Sequence, residues 1–172
     1  MTGKLATITF LTAALLLRCG GKDTGQRDIE PGEPAREEKA VENLIPVDFK
    51  SIQGRWTLIY PEDYGYDFRF YPGYKALVIL YLRTYSLVFS GVYNLEEKNR
   101  IKISISEMKK ADTVAGINLH AGFTKVKSSH FEFNAGFQEK DSKTLILRPV
   151  NIIIDGNSSE GYFEPLLKLR KM

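Results

Sequence analysis

The chain has 172 residues, a net charge of +3, two histidines and a single cysteine. One cysteine excludes an intrachain disulfide, and two histidines ten residues apart (His120 and His130) do not supply the tight ligand spacing of a zinc site. A balance this close to neutral gives no electrostatic ground for binding nucleic acid.

The first element is a run without charge at residues 5–17 (LATITFLTAALLL), preceded by Lys4 and ended by Arg18 and Cys19. At 13 residues it falls short of the roughly 20 that a membrane-spanning helix requires. A charged start, a short apolar core and an abrupt end describe a secretory signal segment, residues 1–18, that takes no part in the fold. Leu16-Leu17-Arg18-Cys19 resembles the lipobox of bacterial lipoproteins, with Arg18 standing where that pattern has a small residue. The resemblance implies that Cys19 carries a diacylglyceryl group and a further acyl chain. Each buried methylene adds about 0.8 kcal/mol, so two or three chains hold a protein firmly to a membrane. Gly20 is not the aspartate that retains many such proteins at the inner membrane, so the resemblance points to the outer membrane of a bacterial envelope.

Without residues 1–18 the chain loses Lys4, Arg18 and no acid, and its net charge falls to +1. Residues 20–46 hold four Lys/Arg against seven Asp/Glu, and nineteen of the twenty aromatics lie beyond residue 46. The expected organisation is therefore a polar tether at 19–46 and one folded domain at 47–172. The tether has few large apolar side chains and cannot offset the entropy of ordering. As a random coil its length gives a reach of about 25–30 Å.

From residue 54 the pattern has period two. After a turn at 48–53, strands are expected at 55–60, 66–71, 76–82 and 85–93. In the last of these Tyr85, Leu87, Phe89 and Tyr93 share a face, and Gly91 marks a bulge or bend. A hairpin loop at 96–99 leads to the clearest strand, where Ile101, Ile103 and Ile105 alternate with Lys102 and Ser104. Turn signals at 109–112, 140–143 and 155–157 separate further strands at 114–120, 124–126, 130–135, 144–150 and 162–169. Short strands at this spacing indicate an all-β fold, an antiparallel sandwich or barrel of eight to ten strands.

Gly54-Arg55-Trp56 opens the first strand directly after a short turn. This resembles the Gly-x-Trp motif of lipocalins and related barrels. The resemblance implies a lipocalin-like barrel in which Trp56 plugs the closed end. A basic residue near the end of the last strand would pack over it, Arg170 by position, with Lys168 as the alternative.

No catalytic constellation, metal site or cofactor motif is present in the sequence, so no enzymatic activity is expected. The most unusual composition lies at residues 60–74, where seven of fifteen residues are aromatic. Tyr60, Tyr64, Tyr66, Phe68 and Phe70 are the candidate ligand or partner contacts, because large amphipathic rings dominate interfaces. In a lipocalin-like barrel the loop at 61–65 would lie over the open mouth. Two functions remain open at this level. One is a lipid-anchored protein that binds a small apolar molecule inside a hollow barrel. The other is an interaction module with a filled barrel that touches another envelope or surface protein. They differ in whether the interior is hollow, which the sequence does not reveal.

Overall fold

A computed structural model describes residues 44–97, 99–112, 122–138 and 142–172. The signal segment, Cys19, most of the tether, and the strand expected at 114–120 with His120 lie outside these residues. Nine strands are present among those described: β1 (Gly54–Tyr60), β2 (Tyr64–Phe70), β3 (Lys75–Leu82), β4 (Tyr85–Glu96), β5 (Arg100–Ala111), β6 (Thr124–Phe137), β7 (Thr144–Ile154), β8 (Asn157–Ser158) and β9 (Leu167–Lys171). Each strand from β1 to β7 pairs antiparallel with the next, β7 pairs with β9, and β9 pairs with β1. Eight strands thus close an up-and-down antiparallel barrel, and the two-residue β8 folds back on the end of β7. Closure joins the two sides of the sheet through β9, while β1 beyond Thr57 and β7 beyond Leu147 run on without a β9 partner.

Alternation places the apolar side chains inside. Ile101, Ile103 and Ile105 are buried in the barrel core with Leu87, Phe89 and Tyr93, as their period-two spacing predicts. The register between β4 and β5 shifts at Ser90/Gly91, with Ser106 as the extra residue on β5. Gly91 is required there for space: a Cβ would lie 2.0 Å from the Ser104 carbonyl oxygen. Gly91→Ala must therefore push two strands apart. A loss of about 1–3 kcal/mol is expected, read as a lower urea midpoint at unchanged m-value.

Several boundaries differ from the sequence pattern for physical reasons. The segments expected at 124–126 and 130–135 are one strand, β6, carried across Ser128 in a left-handed conformation (φ 48°). The turn expected at 109–112 is strand to Ala111. Lys110 places its amine 4.1 Å over the Tyr85 ring, and Lys109 lies 5.0 Å over Phe123. These cation–π contacts hold two lysines in a sheet. β7 runs on through Pro149, at a point where it has already lost β9 as a neighbour. The strand expected at 162–169 is instead a 3-10 turn (Glu160–Tyr162), an irregular stretch broken by Pro165, and then β9.

The continuous apolar run in β3 has a different explanation from its neighbours. Ala76, Val78 and Leu80 face the barrel core, while Leu77, Ile79 and Tyr81 face outward into a second cluster with Val88, against which Phe123 packs. A strand covered on both faces reads as an unbroken apolar run. On this outer wall Asp67 of β2 is fully buried. Its carboxylate accepts from Arg55 Nε at 3.0 Å, Arg69 Nη2 at 2.8 Å and the Tyr81 hydroxyl at 3.3 Å. The contacts join β1, β2 and β3 on the side away from the core.

Candidate functional site

The barrel has two unlike ends. At one end Asp48 closes a turn by accepting from the backbone N–H groups of Lys50 and Ser51, both at 2.8 Å. These bonds to the charged carboxylate hold its pKa below the usual range. The turn presents the Ile52 carbonyl to Trp56 Nε1 at 2.7 Å. Trp56 is fully buried, with its ring 5.6 Å from that of Phe137. Gly54 adopts φ 123°, and a Cβ there would come within 3.2 Å of the Lys171 stem. The cation over the indole is Lys171, whose amine lies 5.0 Å from the ring centroid. Arg170 and Lys168 do not fill that role. Leu167 and Leu169 face inward, so the residues between them face out, and Arg170 pairs with Thr57 on the outer wall.

The opposite end is the mouth. Here the connections at 61–63, 83–84 and 155–166 gather. Tyr64, Leu82, Tyr85, Met108, Val126 and Ile154 are half-buried above the core. Below them Phe163, from the connection between β8 and β9, enters the barrel. Its ring centroid lies 5.2 Å from Phe133, 5.3 Å from Phe131, 5.7 Å from Tyr66 and 6.0 Å from Phe68. Three of these contacts are edge-on or tilted and one is stacked, geometries that aromatic pairs favour.

A chain of tyrosines ties this connection to β1 and β2. The Tyr60 hydroxyl donates to Glu164 Oε2 at 2.8 Å, and the Glu164 N–H donates to the Tyr66 hydroxyl at 3.3 Å. The Tyr64 and Tyr66 hydroxyls are 3.0 Å apart, and the Tyr60 and Tyr64 rings stack at 5.8 Å. Burial pushes the Tyr66 phenol well above its ordinary pKa, and the Tyr64 hydroxyl adds to the shift. Tyr60 is raised as well, by burial and then by the Glu164 carboxylate. The turn between β1 and β2 holds Glu62 and Asp63 at φ 66° and 56°, and the facing turn holds Arg83 at 62°. Such conformations cost about 1–3 kcal/mol each and persist where neighbours fix them. Arg83 does so by donating its N–H to the Asp63 carbonyl at 3.1 Å and pairing with Glu62 at 2.7 Å.

The candidate contacts therefore separate into layers. Phe68 and Phe70 are deep core, Tyr66 is buried with its hydroxyl engaged, Tyr64 is half-buried, and Tyr60 reaches the surface. Only the last two present themselves to another molecule. Sequence reasoning missed Phe163, Glu164 and Lys171. The signal for the first two was Pro165, which ends any strand begun at Tyr162. His130 stands on the outer wall, 3.2 Å from the Asn151 amide and 3.7 Å from Glu132, which is paired with Lys102 at 2.9 Å. Among the described residues no group of three or more His, Cys, Asp or Glu is placed to hold a metal ion.

A recess of about 310 Å³ opens on the flank of the mouth, lined by Pro149, Val150, Asn151, Ile152, Phe163 and Pro165. It lies where β7 has parted from β9. Ile59, Tyr60, Val150 and Tyr162, from the strands and connection bordering this gap, all expose apolar surface.

These features define an eight-stranded antiparallel barrel compatible with a lipocalin-like fold, with Trp56 buried toward one end and Phe163 toward the other. Comparison with protein-family models, curated proteins and solved structures finds no match to this chain.

Proposed function

We propose that this chain is a non-catalytic, lipid-anchored envelope protein whose barrel is a scaffold for contact with another envelope or surface protein. The observation that carries the reading is Phe163. An apolar guest would lie among the inner side chains of the barrel, and among the described residues Phe163 packs there on four inner rings. The chain supplies its own occupant. What remains for a partner is the rim, where Tyr60, Ile59, Val150 and Tyr162 expose apolar surface beside the Phe163 recess. Tyrosine and its neighbours here offer large contact area with little side-chain entropy to lose. The anchor at Cys19 would keep the barrel in the envelope, where such partners are found.

A photo-crosslinking residue placed at Tyr60 in the cell tests the reading. One discrete adduct with a protein is expected, absent when the probe stands at Lys125. A lipid-only adduct, or none at either site, contradicts it. Tyr60→Ser with Tyr64→Ser should abolish the adduct from a probe at Tyr162 and lower stability by no more than about 2 kcal/mol, the sum of two modest hydrogen bonds. Tyr66→Ser is not a surface test, because that ring stacks on Phe163.

A further inference from the structure

We propose that the Trp56 end of the barrel is a docking face for an anionic phospholipid surface, an inference that rests on the membrane-anchored reading above. Register brings cations together there from four strands and their flanks. Arg170 stands between Thr144 of β7 and Thr57 of β1 on the outer wall. The Lys171 N–H donates to the Lys143 carbonyl at 2.9 Å, and the Met172 N–H to the Arg55 carbonyl at 2.9 Å. Arg55 is paired in register with Arg69, and Lys75 opens β3 just beyond. Lys143, Thr144, Arg170 and Lys171 line a concavity of about 360 Å³, room for a phosphate headgroup. The described acids in this sector are Asp67, already held by Arg55 and Arg69, and Asp48, whose carboxylate accepts from the Lys50 and Ser51 N–H groups. Glu96 and Glu97 share this end of the barrel but stand across it, on the hairpin between β4 and β5.

Two further observations choose a membrane as the occupant. Exposed apolar side chains accompany the cations: Tyr71, Tyr74 at 55% and Met172 at 75% of full exposure. Amphipathic rings beside lysine and arginine suit the headgroup layer, where the apolar part enters and the charge stays wet. The chain also approaches from the Cys19 side at this end, since Ile45 exchanges two hydrogen bonds with Phe137, at 3.1 and 2.9 Å. A tether leading to a lipidated Cys19 would therefore draw this face, and not the mouth, toward the bilayer. Docked so, the barrel turns its tyrosine rim away from the membrane.

The test is lysine acetylation of the full chain, read residue by residue, with vesicles of phosphatidylcholine alone or mixed with phosphatidylglycerol. Lys75 and Lys171 should be labelled several-fold more slowly on the mixed vesicles only, and salt should restore the rate. Lys125 and Lys127 at the mouth should not change. Arg170→Gln, on the outer wall, should weaken binding to the mixed vesicles roughly fivefold. Inorganic phosphate without vesicles should protect neither lysine. Uniform labelling on mixed vesicles overturns the proposal while leaving the anchor intact. Protection that persists on phosphatidylcholine alone overturns it too, and points to the acidic segment at 20–43 as the occupant. A Cys19→Ser chain that binds neutral vesicles as well as the parent counts against the anchor, yet the face must still select the mixed vesicles.

Discussion

Replacing Phe163 with alanine should cost about 3–5 kcal/mol, the range for removing a buried aromatic ring. That is a large share of the 5–15 kcal/mol by which a domain of this size is stable. The loss arises because the rings of Tyr66 and Phe68 on β2 and of Phe131 and Phe133 on β6 all contact Phe163 and belong to strands fixed in the barrel. They cannot all move in to fill the space. The resulting apolar cavity should bind benzene or xenon, as dry cavities of this kind do. Benzene should then raise the melting temperature of Phe163→Ala and leave the parent chain unchanged, by the linkage between ligand binding and stability. A variant that loses less than about 1 kcal/mol would mean that the connection at 159–166 packs only loosely.

The second large effect concerns Asp67. Its carboxylate is fully buried on the outer wall and draws on two guanidinium groups and one phenol. Either arginine alone still pairs with it, so Arg55→Gln or Arg69→Gln should be mild. The double variant leaves a buried charge with only the Tyr81 hydroxyl, and a loss of about 3–5 kcal/mol is expected. Adding Asp67→Leu to the double variant should recover most of that loss, because an apolar replacement for the whole ionic group is often near neutral. Denaturant unfolding of the parent and the four variants measures this directly. A triple variant as unstable as the double one would show that the arginines act through packing and not through the charge.

The strands were legible wherever one face is wet and the other dry. Ile101, Ile103 and Ile105 state the rule without help from any neighbour, and the same alternation predicts Phe131 and Phe133 inside. The burial of Trp56 rests on a local unit, the glycine before it and the turn before that, whose Ile52 carbonyl accepts from the indole. The rest depends on contacts distant in sequence. Lys109 and Lys110 look like a turn until Phe123 and Tyr85 lie beneath them. Lys171 covers the indole, and not Arg170, because pairing with both β7 and β1 fixes which residues of β9 face inward. Phe163 reads as one more strand residue, and only the closed barrel shows that it packs on inner rings of β2 and β6. The aromatic run at residues 60–74 is exceptional in composition, but one continuous segment supplies both core and rim by alternation. A sequence does not separate those layers until the strand has a register.

Native mass spectrometry of residues 44–172, purified from the native host without detergent, tests the central claim most directly. The self-filled barrel predicts the mass of the polypeptide alone, unchanged by extraction with organic solvent. A bound apolar molecule that disappears on extraction would contradict it, and would mean that Phe163 yields its place to a guest.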